Sequence, residues 1–201
     1  TPRSRRDGWL NRGLAALDQG SRTNATALGD SVPLVLRGAH PVTSLDPTNE
    51  AEAPSDFYDQ IHQLYAGDDI LGPALTEALQ THQLIAGSDM TGDENEDRRA
   101  RKMLALIRGA AALLREPEGP RVAVIEAGGW DTHNGQGTDS GRLATRLSAL
   151  GQGLASLRTE LSATWQNTVV LVVTEFGRTV AINGTRGSDH GVGGMAFALG
   201  G

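Results

Sequence analysis

The sequence contains no cysteine, and this absence narrows the chemistry that the chain can perform. Without thiols, neither a disulfide nor a thiolate metal site can hold the fold together. Any bound metal must then take its ligands from histidine, aspartate, glutamate or asparagine side chains. At 201 residues the chain is long enough to bury a substantial core without such cross-links.

The chain also lacks an excess of positive charge and any long apolar run. The formal net charge is −6, and the one basic cluster is Arg98–Lys102, so we expect no nucleic-acid partner. No apolar run approaches the roughly 18 residues of a membrane-spanning helix, so we expect no membrane span. Ser4-Arg5-Arg6 is followed by Asp7-Gly8-Trp9 and by no apolar segment, so we do not interpret it as an export signal.

The first half of the chain predicts helices with one short strand. The spacing of apolar residues predicts helices at 7–18, 56–65, 73–85 and 98–115. The sequence Val-Pro-Leu-Val-Leu within 31–37 predicts a strand, which its proline places early or at a sheet edge. Prolines and polar residues predict a loop over 38–54.

The second half predicts a parallel arrangement of strands. Two runs rich in β-branched residues, at 121–126 and 168–174, are typical of strands buried on both faces of a parallel sheet. Leucines at steps of three and four predict a helix between them, over about 139–165. Strand, helix and strand in this order predict a right-handed crossover with parallel strands. We therefore expect a single α/β domain over 1–201, with one more strand in the final apolar run.

Polar sequence follows both strong strands, and ligands of open parallel sheets bind beyond the carboxyl ends of strands. Asp131 and His133 are two residues apart, so in an extended segment they point to the same side and can converge on one ion. Asp189 and His190 are adjacent, so they serve one ion only through a bend, or two neighbouring ions. Imidazole together with carboxylate suits Zn²⁺ or a similar divalent metal.

Two charged residues follow the second strong strand. Arg178 carries a planar fork of donors that stays protonated, which suits a substrate oxyanion. Glu175 is either a metal ligand or the ion-pair partner of Arg178. Each acid and histidine pair taken alone is more often a loop hydrogen-bond pair than a metal site, whereas two such pairs after predicted strands favour a metal.

Three motifs in this order resemble a known family. They are Gly128-Gly-Trp-Asp-Thr-His133 with Gln136, then Val172-Val-Thr-Glu-Phe-Gly-Arg-Thr179, then Asn183-Gly with Gly187-Ser-Asp-His-Gly191 and the closing Leu199-Gly-Gly201. The segment Gly29-Asp-Ser-Val-Pro-Leu34 fits as well. With these motifs the sequence resembles the uncharacterised bacterial family numbered 1501 among domains of unknown function, which is similar to the alkaline phosphatase and sulfatase superfamily.

The resemblance implies an alkaline-phosphatase-like α/β fold, with a mostly parallel sheet sandwiched by helices. It implies that this chain is an incomplete C-terminal part of the domain, without the N-terminal strand and the Ser or Thr nucleophile. It also implies twin-arginine export of the intact protein to the periplasm or outside the cell. The superfamily spaces its first Asp and His by four, whereas Asp131 and His133 are two apart, which leaves the number of metals open.

We therefore expect the intact protein to be a metal-dependent hydrolase of phosphate or sulfate esters, with a small anionic ester as substrate. The expected metal ligands are Asp131, His133, Asp189 and His190. The divalent metal is Zn²⁺ in the first instance, with Ca²⁺, Mg²⁺ and Mn²⁺ as alternatives, and Glu175 and Arg178 would support the metal and the oxyanion. The alternative hypothesis is an exported binding or assembly protein that keeps the fold without turnover. The sequence leaves the oligomeric state open.

Overall fold

The computed structural model describes residues 7–17, 25–46, 60, 63–64 and 98–201. The chain divides into two compact units. The first unit comprises 1–90 and 109–126, and the second comprises 91–108 and 127–201. One helix, α2, spans Arg98–Leu114 and therefore contributes residues to both units.

A three-stranded parallel sheet forms the centre of the first unit. Its strands are β1 (Ala25–Leu28), β2 (Thr43–Leu45) and β3 (Val122–Ile125), in the order β2-β1-β3. Both neighbours pair with β1 in parallel, so that Thr26 lies opposite Thr43 on one side and Ala123 on the other. All residues of β1 are buried, as expected for a central strand. The predicted α/β class with parallel strands is thus confirmed for this unit.

Helix α1, Trp9–Leu17, packs in the core of the first unit. Leu14 is buried there with Ala25, Ala27 and Leu36. Asn11 is also buried, and its amide nitrogen donates hydrogen bonds to the carbonyl oxygens of Leu36 and His40, each at 2.8 Å. A buried amide with these partners is satisfied, so it fixes the position of α1 on the loop without an energetic penalty.

Several local predictions for the first unit are wrong. The predicted strand at 31–37 is absent, because Leu34–Leu36 after Pro33 forms a short 3-10 helix. A run of five apolar residues has no period that distinguishes a strand from a helical turn. Strand β1 was missed because its alanines have low strand propensity, and β2 lies within the predicted loop at 38–54.

The predicted helices at 56–65 and 73–85 lie outside the described residues, apart from the helical positions Gln60, Gln63 and Leu64. The predicted helix at 98–115 is confirmed as α2, with a buried face that includes Met103, Leu106 and Leu113. Within the part of the chain that the structure describes, no helix combines the length and apolar character that a bilayer crossing needs.

The second unit contains one long helix and two antiparallel strand pairs. Helix α3 spans Arg142–Glu160, which confirms the helix predicted between the two strong strands. Strand β4 (Val169–Val173) pairs with β7 (Ala196–Gly200), and β5 (Gly177–Ile182) pairs with β6 (Ser188–Gly191).

The predicted parallel crossover from β3 to β4 is wrong. Strand β3 pairs with β1, whereas β4 pairs in the antiparallel direction with β7. The segment between β4 and β7 turns back through the β5–β6 hairpin, so the chain returns to β4 from the opposite direction. The β-branched composition of β4 predicted a strand correctly, but composition does not specify which strand becomes its partner.

The packing of α1 gives a direct test of the core. Leu14 is 1% exposed and Leu17 on the same helix is 68% exposed. We expect Leu14→Ala to lower the free energy of unfolding by about 2–5 kcal/mol, because it leaves a cavity beside the sheet. The matched control Leu17→Ala should change it by less than about 0.5 kcal/mol. Urea denaturation followed by circular dichroism measures both values, and equal effects of the two variants would contradict this packing.

Candidate metal centre

The loop 128–136 is joined to the β5–β6 hairpin by backbone hydrogen bonds. Gly135 N donates to Thr185 O at 3.1 Å, and Gln136 N donates to Arg186 O at 3.0 Å. Further along, Ser188 N donates to Thr132 O at 3.4 Å. These bonds bring the segment that carries Asp131 and His133 beside the strand that carries Asp189 and His190.

Side-chain hydrogen bonds also connect the loop 128–136 to the β5–β6 hairpin. The hydroxyls of Thr132 and Ser188 are buried, and both donate to Gln136 Oε1, at 2.8 Å and 2.7 Å. One side-chain oxygen therefore connects the loop to the hairpin. Because the two hydroxyls are buried, loss of the Gln136 oxygen would leave both of them unsatisfied, at a cost of about 1–3 kcal/mol each.

Gly187 permits the close approach of the hairpin to the loop. A Cβ atom at Gly187 would lie 2.2 Å from the carbonyl oxygen of His133. That atom belongs to the backbone, so it cannot rotate away as a flexible side chain would. The position therefore requires glycine for a steric reason, independently of its backbone dihedral angles.

Oδ1 of Asp131 is the point at which three side chains meet. It lies 2.8 Å from His190 Nε2, 2.9 Å from Arg178 Nη2 and 3.0 Å from His133 Nε2. The hydrogen bond from His190 is the largest cause that lowers the pKa of Asp131 below 3.8, and the neighbouring charges of His133, His190 and Arg178 act in the same direction. Asp131 is therefore ionised at neutral pH, as a metal ligand must be.

Asp189 contacts the opposite edge of the His133 ring. Its Oδ1 atom lies 3.0 Å from His133 Nδ1 and accepts a hydrogen bond of 3.0 Å from the amide of Asn183. The hydrogen bond from Asn183 is the largest cause that lowers the pKa of Asp189, and the bond from His133 comes second. Asn183 also donates to the carbonyl oxygen of His133 at 3.0 Å.

The geometry of Asp131, His133 and His190 could hold a metal ion. One potential ligand atom from each residue lies within 4.8 Å of the other two. Two ligand atoms of a tetrahedral zinc ion are about 3.3 Å apart, given bond lengths near 2.0 Å, so small side-chain movements suffice. The three side chains are between 44% and 54% exposed. Three protein ligands with an open side are typical of a catalytic rather than a structural zinc site.

Arg178 reaches the cluster from β5. Its Nη2 atom donates to the carbonyl oxygen of Trp130 at 2.7 Å as well as to Asp131, and Nη1 donates to the carbonyl oxygen of Ser188. The guanidinium also lies over the ring of Phe176, which stacks on His190 with 4.2 Å between the ring centroids. Arg178 thus holds the loop, the hairpin and Asp131 together.

The structure brings five of the six predicted site residues together and leaves one apart. Glu175 is exposed, and its carboxylate makes no hydrogen bond or ion pair with another described residue. The alternative of an ion pair between Glu175 and Arg178 is not observed, because Arg178 pairs with Asp131. The assignment of roles to these residues stays a prediction.

Sequence reasoning did not assign a role to Asn183. Its Oδ1 atom accepts hydrogen bonds from Thr185 N at 3.0 Å and from Gly187 N at 2.9 Å. An asparagine before glycine in a turn often bonds to the backbone two residues ahead, and that signal was present in the sequence. The contacts of Asn183 with Asp189 and His133 are non-local and left no such signal.

These observations define an α/β protein with a carboxylate and histidine cluster that could hold a metal. The model of the family described as "Protein of unknown function (DUF1501)" matches residues 1–201, and the chain belongs to this family. No curated protein and no solved structure matches the chain.

The close approach at Gly187 can be tested with a matched pair of variants. We expect Gly187→Ala to lower the free energy of unfolding by about 1–3 kcal/mol or more, because the added methyl group meets the backbone of His133. Gly184→Ala in the same turn is the control, since a Cβ atom there meets nothing within 4 Å. Chemical denaturation measures both variants. A Gly187→Ala variant as stable as the control would contradict the close approach.

The pKa shifts give a prediction of pH dependence. Both aspartates have pKa values below 3.8 in the folded chain, so their contribution to stability is present above that value. It is lost as the pH falls through the lowered values. We expect Asn183→Ala to raise the pKa of Asp189 toward 3.8 while that of Asp131 stays low, because His190 is the main donor to Asp131. Carbon-13 NMR titration of the carboxyl groups measures both. An unchanged pKa of Asp189 in the variant would refute this account.

Proposed function

We propose that the intact protein is a metal-dependent hydrolase that acts on phosphate or sulfate esters. The observation that carries the proposal is the convergence of Asp131, His133 and His190, whose potential ligand atoms lie within 4.8 Å of one another. Their exposed side leaves room for a small anionic ester to reach a bound ion. A divalent ion there would polarise the ester oxygen and lower the pKa of a bound water.

The donor set favours Zn²⁺ among the divalent metals. Two imidazoles and one carboxylate are typical ligands of zinc, and three protein ligands leave one position for substrate or water. Ca²⁺ and Mg²⁺ prefer sets made of oxygen ligands, so they match this set less well. Mn²⁺ stays an alternative, because imidazole and carboxylate can also bind it with lower affinity.

The side chains around the cluster have distinct roles in the proposal. Asp131 supplies a negative charge, and Arg178 keeps that carboxylate oriented through the 2.9 Å contact. The positive charge of Arg178 would attract an anionic ester, although both of its terminal nitrogens already have protein acceptors. Glu175 makes no contact with the cluster, and its support of the metal stays a prediction from the sequence.

The fold and location of the intact protein are part of the proposal. The motif resemblance supports an alkaline-phosphatase-like fold and export of the protein to the periplasm or beyond. The parallel sheet of the first unit is compatible with such a fold. The pairs β4–β7 and β5–β6 are antiparallel, so they differ from the mostly parallel sheet that the resemblance implies.

A second candidate function is an exported binding or assembly protein that holds a metal without turnover. The contacts of Arg178 favour it, because Nη1 and Nη2 donate to Ser188 O, Trp130 O and Asp131 rather than to the exposed side. A guanidinium used in this way stabilises the cluster but does not present a free pair of donors to an oxyanion.

Metal analysis of the intact protein tests the proposal first. After loading with Zn²⁺ and dialysis, we expect about one zinc ion per chain by mass spectrometry, as for a three-ligand site. Asp131→Ala and His190→Ala should each lose it, whereas His40→Ala, a histidine of the first unit, should retain it. Unchanged zinc content in the Asp131 and His190 variants would refute the metal centre.

Activity assays then separate the two candidate functions. We expect zinc-dependent cleavage of an aryl phosphate or an aryl sulfate by the intact protein. Asp131→Ala and His190→Ala should lower the rate by at least about a hundredfold, because the metal contributes several kcal/mol to the transition state. Zinc binding without cleavage of either ester would favour the binding protein over the hydrolase.

A further inference from the structure

The two ring nitrogens of His133 have different surroundings. Nδ1 lies 3.0 Å from Asp189 Oδ1 in the geometry of a hydrogen bond. Nε2 lies 3.0 Å from Asp131 Oδ1, a close contact without that geometry. A neutral imidazole carries one proton, and the hydrogen bond to Asp189 favours its placement on Nδ1. Nε2 then has a free lone pair on the side of Asp131 and His190.

Asp189 is held in place by Asn183. The amide nitrogen of Asn183 donates to Asp189 Oδ1 and to the carbonyl oxygen of His133, each at 3.0 Å. The orientation of this amide is fixed, because its oxygen accepts from the backbone N–H groups of Thr185 and Gly187. A flipped amide would place its NH₂ group against these donors. The position of the Asp189 carboxylate is therefore set by the turn of the hairpin.

Asp189 lies outside the group of ligand atoms. Among the described residues, the set that could share one ion consists of Asp131, His133 and His190. Asp189 and His190 are neighbours on β6, so their side chains leave the strand in different directions. His190 reaches Asp131, whereas Asp189 reaches the far edge of the His133 ring. Asp189 and Asp131 thus contact different nitrogens of the His133 ring.

We propose that Asp189, held by Asn183, is a positioning residue for His133 and not a metal ligand. Asp189 keeps the proton of His133 on Nδ1, so that Nε2 is available to a single metal ion beside Asp131 and His190. A carboxylate that accepts the second ring proton of a metal-bound histidine fixes the ring and raises its basicity as a ligand. The metal-binding half of this inference rests on the proposed function. It replaces the expectation of Asp189 as a ligand, and it assigns one ion to the site.

NMR of the metal-free full chain tests the positioning without any metal. Nitrogen-15 labelling of histidine and long-range proton–nitrogen correlation show which ring nitrogen carries the proton, at a pH where the imidazoles are neutral. His133→Asn identifies the signals of His133 among those of the five histidines. We expect the Nδ1-protonated form in the wild type and a shift toward the Nε2-protonated form in Asp189→Ala. A wild-type His133 protonated at Nε2 would overturn the proposal.

Zinc titration tests the consequence for binding. We expect Asp189→Ala to weaken zinc affinity by about 10–100-fold with the stoichiometry unchanged, as is typical of outer carboxylate partners. Asn183→Ala should weaken affinity in the same direction and by less, because Asp189 keeps its contact with His133. Asp189→Asn, which retains an acceptor oxygen, should restore part of the loss. Asp139→Ala, an exposed aspartate shortly after the same loop, is the control and should leave the affinity unchanged.

Each outcome of the titration decides between the alternatives. A loss of binding in Asp189→Ala as complete as in Asp131→Ala would make Asp189 a ligand, and a fall from two ions to one would assign it to a second site. An unchanged affinity would remove its positioning role. If the wild type binds no zinc, the proposed function fails. The NMR result still decides which ring nitrogen of His133 carries the proton. Circular dichroism of every variant confirms that the fold is retained.

Discussion

One carboxylate oxygen, Oδ1 of Asp131, organises the cluster through contacts of 2.8–3.0 Å with nitrogens of His190, Arg178 and His133. Charged contacts on an exposed surface add little to stability, because water and salt screen them. The fold therefore does not need them. The loop is held to the hairpin by the hydrogen bonds that Thr132 and Ser188 donate to Gln136, by backbone hydrogen bonds, and by the donation of Arg178 to two carbonyl oxygens. The charged side chains of the cluster stand exposed on this support, where a solute can reach them.

The cluster also brings two carboxylates close to the same imidazole. Asp131 and Asp189 lie on opposite edges of the His133 ring, and Arg178 is the cation that pairs with Asp131. A divalent cation beside Asp131 would be attracted by the negative charges of both aspartates. Asn183 and His133 both contact Oδ1 of Asp189, so this carboxylate lies at the edge of the ring away from Asp131. The same contacts account for the lowered pKa of both acids.

Local patterns predicted much of this structure, and non-local pairing was where they failed. Periodic leucines and β-branched runs predicted α2, α3, β3 and β4, because amphipathic faces and buried strands have sequence signatures. The spacing of Asp131 and His133 also predicted their convergence. No signature specified the antiparallel pairing of β4 with β7 or the alanine-rich β1. Likewise, Arg178 donates to the carbonyl oxygens of Trp130 and Ser188. Because every residue has a backbone carbonyl, the sequence could not predict which ones Arg178 would contact.

The most direct test of the account is anomalous X-ray diffraction from crystals of the zinc-loaded protein, measured on both sides of the zinc absorption edge. The account predicts one zinc peak in this region, about 2.0–2.2 Å from an oxygen of Asp131 and from Nε2 of both His133 and His190. Asp189 should remain on Nδ1 of His133, outside the coordination sphere. A zinc-loaded crystal with no peak among these three side chains would contradict the metal centre on which the proposed function depends.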